Sequence, residues 1–145
     1  MKSFLLFIAM LGVLVLGSSY ESTVSSAASA ARKEQAVMKF NDPVMLMGIP
    51  LKGEYLFVHD DKKMAREEAC TYVYQGLAAA SDKLVASFHC RPAIRARANS
   101  FIVRTALNAS GQYELREYQF AGNIEAHRVP LNPHEGHINI AGVGN

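Results

Sequence analysis

The chain has 145 residues, half of them hydrophobic and 19% charged, with a formal net charge of +2. This is the composition of one modest globular domain, and it excludes wholesale disorder and a multi-span membrane protein. So small a charge excess makes no case for nucleic acid as a partner.

Lys2 is followed by a thirteen-residue apolar run, Phe4 to Leu16, and then by Gly17, Ser18 and Ser19. That order is the n-, h- and c-region pattern of a secretory signal peptide, and the run is shorter than the ~20 residues a spanning helix needs. We therefore expect a signal peptide over 1–19, with cleavage after Ser19. The small residues Ala28 and Ala30 offer a second, more distant site, and contact with a membrane would come only through the N-terminal segment if it stays uncleaved. The chain is expected to be exported, to the periplasm or the extracellular space.

A flexible linker is predicted over 20–36, because the Ser/Ala-rich stretch from Glu21 to Ala31 has too little apolar surface to offset the entropy of ordering it. Arg32 to Lys39 lacks a second turn of apolar positions and is expected to be coil or a frayed helix.

A β-domain is expected over 37–130, since from Phe40 onward the signal is a period of two. In GEYLFVH (53–59), Tyr55, Phe57 and His59 share one face and Leu56 and Val58 the other. CTYVY (70–74) sets Cys70, Tyr72 and Tyr74 against Thr71 and Val73. LVASFHC (84–90) sets Leu84, Ala86, Phe88 and Cys90 against Val85, Ser87 and His89. These two are expected to pair. The clearest hairpin joins FIVRTAL (101–107) to YELREYQF (113–120) through Asn108 to Gln112, whose Gly111 suits a positive φ. A last strand near Glu125 to Val129 stops at Pro130, and 131–145 reads as a loose tail. The fold class is all-β: a small antiparallel sandwich or barrel of five to seven strands, with at most scraps of helix near 64–69 and 76–81.

Within this pattern, FNDPVMLMGIPLKGEYLF (40–57) carries Phe40, Pro43, Val44, Gly48, Leu51, Gly53, Tyr55 and Phe57. It resembles the opening of a group of small exported bacterial proteins, known from soil bacteria, with F-x-x-P-V, a glycine and then L-x-x-G-x-Y-x-F. DKLVA (82–86) is similar to that group's next strand, although Ser81 and Asp82 stand where Asp-Gly is usual. The resemblance implies an exported β-domain without assigned activity. It supplies no catalytic residues.

For an exported chain, Cys70 and Cys90 read first as a disulfide, which would close a loop of 20 residues and contribute roughly 3 kcal/mol. The rival is a copper or zinc site built on histidines, with His59, His89 and His127 as candidates. Since neighbours on a strand face opposite ways, His89 and Cys90 cannot both reach one ion without a bulge. His134 and His137 are interrupted by Gly136 and do not have the HExxH spacing. Arg91, Arg95 and Arg97 form the one strong local charge asymmetry and are candidates for holding an anionic ligand or envelope component. Asp60, Asp61, Glu67 and Glu68, among lysines and arginines, read as an exposed charged loop.

There is no nucleophile elbow, phosphate-binding glycine loop or spaced carboxylate pair, so we expect neither enzyme activity nor a catalytic cofactor. The expectation is an exported, non-catalytic β-domain acting as an envelope-associated binding or structural module. The alternative is a periplasmic copper- or zinc-binding protein.

Overall fold

The computed structural model describes residues 31–131 and 139–140. The apolar N-terminal run and most of the C-terminal tail lie outside them. No helix among the described residues is long and apolar enough to cross a membrane.

The structure is all-β. Among the described residues nine strands, against the five to seven expected, form one connected sheet: β1 (Lys33–Leu46), β2 (Ile49–Asp60), β3 (Thr71–Gln75), β4 (Leu84–Phe88), β5 (Arg91–Ile94), β6 (Ile102–Leu107), β7 (Tyr113–Gln119), β8 (Glu125–Arg128) and β9 (Asn139–Ile140). Their order is β5-β8-β7-β1-β2-β3-β4-β9, with β6 also paired to β7, and the sheet is curled into a half-barrel. The helical content among the described residues is one turn, α1 (Asp61–Met64), and a 3-10 turn at Ser81–Lys83.

The largest departure from the sequence reading is β1. Lys33 to Lys39, expected to be coil or frayed helix, alternates between exposed and half-buried positions and pairs antiparallel with β2 from Lys33↔Asp60 to Phe40↔Gly53. The segment is polar because one face meets solvent, and its order comes from the apolar partner strand. The register then shifts between Phe40 and Val44, where Pro43 has no N–H to give to a ladder. Met47 (φ +48) and Gly48 (φ +86) make the two-residue turn into β2, both in the left-handed region that such hairpins require. Much of the 40–57 string is therefore one hairpin: Phe40 opposite Gly53, Val44 opposite Leu51, and Gly48 in the turn.

β3 and β4 pair as expected, with Thr71↔Phe88 and Val73↔Ala86. The more apolar-looking tyrosine face of β3 is not the inward one. Thr71 and Val73 are buried, while Tyr72 and Tyr74 are only half-buried and stack on each other. The β6–β7 hairpin forms, with Leu107 opposite Tyr113 and the Asn108 side chain accepting the N–H groups of Ser110 and Gln112. Of the tail, Asn139–Ile140 is a short strand on the edge of β4, opposite Ser87 and Ala86.

The core fills the hollow of the curl with Phe57, Phe88, Leu46, Leu51, Val73, Leu115 and Tyr118. Phe57, Phe101, Tyr118 and Phe120 are linked ring to ring at centroid separations of 5.2 to 6.2 Å, within the range in which aromatic edges and faces attract. His59, Cys70, Thr71, Cys90 and His127 are buried beside Tyr118 of this cluster.

Candidate metal centre

His59 extends the inward phase of Tyr55 and Phe57 along β2. Cys90 does the same for Ala86 and Phe88, just beyond β4. His127 lies in β8 directly opposite Tyr118 of β7. In sheet order β2 and β8 are separated by β1 and β7, so their side chains meet only because the sheet curls. The two imidazole rings face each other at 4.0 Å between centroids, and Tyr118 stacks on His127 at 5.0 Å.

One ligand atom from each of His59, Cys90 and His127 lies within 4.8 Å of the others, and all three residues are buried. Cys90 Sγ is 3.7 Å from His59 Nδ1 and 3.6 Å from His127 Nδ1. A tetrahedral ion with metal–sulfur and metal–nitrogen bonds of ordinary length separates its sulfur and nitrogen ligands by about 3.6 Å. Met64, from α1, places Sδ 3.9 Å from Cys90 Sγ. Two imidazoles, one thiolate and a thioether are ligands suited to copper or zinc.

The surroundings prepare the ligands. His59 Nε2 is 3.0 Å from Asp61 Oδ1, so donation of Nε2–H to the carboxylate leaves Nδ1 directed at Cys90, as is usual for histidine ligands to metals. The other Asp61 oxygen accepts the Arg32 N–H at 3.0 Å. Asp60 accepts the N–H groups of Lys62 and Lys63 and caps α1. The sequence signal missed here was local. Asp61 is two residues from His59 at a strand end, and a turn carries its carboxylate back to the ring.

Burial and the neighbouring His59 push His127 down to about 3, which keeps it a neutral imidazole. In His59, burial acts downward, but Cys70 and Asp61 outweigh it and the ring is held above its usual range. Cys70 is lowered to about 4, chiefly by its hydrogen bond with Cys90 and then by His59 and the Cys90 N–H, against the opposing effect of burial. Cys90 is pushed up by the same pairing and by burial. The thiols thus behave as a pair that gives up one proton readily and holds the second.

The cysteines paired in the sequence reading do lie side by side. Their sulfurs are 3.0 Å apart, with the Cys90 N–H donating to Cys70 Sγ at 3.2 Å. This exceeds the ~2.05 Å of a disulfide bond, and both residues are free thiols.

Of the three histidine candidates, His59 and His127 come together and His89 does not. Its Nδ1–H donates to the Glu68 carbonyl at 2.9 Å, and it lies on the Cys70 side of the thiol pair. Cys90, rather than His89, is the third potential ligand.

The three candidate arginines do not converge. Arg95 makes a two-point ion pair with the buried carboxylate of Glu117, at 3.1 and 2.6 Å. Arg97 donates to the Gly122 carbonyl, and Arg91 is exposed opposite Arg128. Glu117 also receives Arg104 at 3.0 Å. Much of the charge asymmetry is therefore internally neutralised.

Comparison with protein-family models, with curated proteins and with solved structures returns no match.

Proposed function

We propose that this chain is an exported β-domain that binds one copper or zinc ion through His59, Cys90 and His127. The observation that carries this reading is the meeting of three buried ligand atoms, supplied by residues far apart in sequence, at the spacing a single ion would bridge. Burying two imidazoles and a thiol in an otherwise aromatic core is costly unless they find partners, and a bound ion would supply one. Asp61 behind His59 adds a carboxylate–histidine pairing suited to a ligand role. Export rests on the N-terminal apolar run and its small-residue boundary.

The test is metal content and zinc titration of the reduced protein, with wild type beside Cys90→Ser, His127→Gln and His89→Gln. We expect one ion per wild-type chain, retention in His89→Gln, and a loss of affinity of at least 100-fold in the other two, with far-UV circular dichroism unchanged. A folded wild-type chain that takes up no stoichiometric copper or zinc overturns the reading and returns the envelope-associated binding or structural module to first place.

A further inference from the structure

We propose that the site is redox-gated: Cys90 serves either as an ion ligand or as half of a disulfide with Cys70, so that oxidation of the pair expels the ion. The inference rests on the ion-binding reading above and adds to it a state in which the ion cannot stay. Its basis is the second sulfur. Cys70 Sγ lies 3.0 Å from Cys90 Sγ, closer than either imidazole nitrogen does, at 3.6 and 3.7 Å. A thiol in that position is not needed by a site built on His59, Cys90 and His127, but it is placed to capture the sulfur on which the site depends.

The oxidant must be small. Cys70 and Cys90 are both fully buried, so a protein disulfide cannot reach either sulfur without unfolding the domain. A surface hollow lined in part by Arg32, Asp61, Met64 and Glu125 reaches two residues that contact the cluster, Asp61 through His59 and Met64 through Cys90. Hydrogen peroxide is of the right class.

In the zinc-loaded protein the Cys70 sulfur attacks peroxide, the O–O bond breaks, and the departing hydroxide takes the thiol proton, so that a sulfenic acid and water form. Cys90 sulfur then attacks the Cys70 sulfur, the S–S bond forms, the S–O bond breaks, and the departing hydroxide takes a proton and leaves as water. Two electrons pass from the sulfur pair to peroxide. Zinc keeps its charge and, with Cys90 withdrawn, loses its one anionic ligand of the three. A dithiol reductant reverses the change.

The experiment uses the full folded chain loaded with zinc, stoichiometric hydrogen peroxide, a chromogenic zinc chelator and intact mass. We expect release of the bound zinc as the chain becomes about two mass units lighter, and rebinding after reduction. Cys70→Ser separates the two roles of sulfur. It should retain zinc, since Cys70 is not needed as a ligand, and should not release it at the same dose of peroxide. Zinc retained after the disulfide has formed overturns the gate, as does oxidation that adds oxygen to both sulfurs without joining them. A reduced wild-type chain that takes up no zinc overturns the gate together with the ion-binding reading. Retained zinc beside a formed disulfide overturns the gate alone.

Discussion

His59 and His127 lie ring against ring, yet their environments push their proton affinities in opposite directions. Cys70, and after it Asp61, favour charge on His59 against the effect of burial, while burial and then the neighbouring His59 keep His127 neutral. One contributor is a single carboxylate, since Asp61 is hydrogen-bonded to the His59 ring. Asp61→Ala should therefore weaken zinc binding by about 10–100-fold, the usual effect of losing a carboxylate behind a histidine ligand. Competition with a chelator of known affinity measures this, and an unchanged affinity would show that the carboxylate serves only the Arg32 N–H. Some of this chemistry was legible in the sequence. The inward phases of β2 and β4 place His59 and Cys90 in the core by alternation alone. Asp61 was not legible, because a charged pair beside two lysines has the same pattern whether it is solvated or turned back onto a ring.

Among the elements, β7 and β8 hold His127 in place, and their outer faces are fastened by Glu117. This carboxylate is buried on β7 and takes ion pairs from Arg95 beyond β5 and Arg104 on β6, with Arg128 of β8 at 3.9 Å. Glu117→Ala removes the common acceptor, but both paired arginines are more than a third exposed and can turn to water. We expect a loss of about 1–3 kcal/mol in urea unfolding, well below what stranding fully buried charges would cost. In the β1–β2 turn, Gly48 has φ +86 with open space around its α-carbon. Gly48→Ala should cost about 1–2 kcal/mol through backbone conformation rather than a clash. The hairpins were the readable part of the fold, because glycine, asparagine and flanking alternation are local signals. β1 was not readable over Lys33 to Lys39, since its strand character is imposed by β2. The inward face of β3 has a similar origin: the hydroxyl of buried Thr71 meets that of Tyr118, 47 residues away, and no local pattern announces such a partner.

For the whole molecule, the earliest strand, β1, lies in the middle of the sheet between β2 and β7. Its contact with β7 is parallel and joins Met45 to Glu114, so the two arms of the curl close only after most of the chain is available. Nothing in either arm alone assembles the cluster: His59 belongs to one, His127 to the other, and Cys90 lies at the crossing between them. The export reading adds a check at this scale, since protein recovered from its native compartment should begin near Tyr20, and a chain still carrying Met1 or Lys2 would contradict it. The curl itself has a mechanical consequence. An ion held among residues 59, 90 and 127 would act as a rivet between opposite walls of an otherwise open half-barrel, resisting the splaying motion by which such a sheet would begin to unfold. At a free zinc concentration a hundredfold above its Kd the rivet should add about 2.7 kcal/mol to stability, visible as a melting temperature that climbs with zinc in wild type and stays flat in His127→Gln.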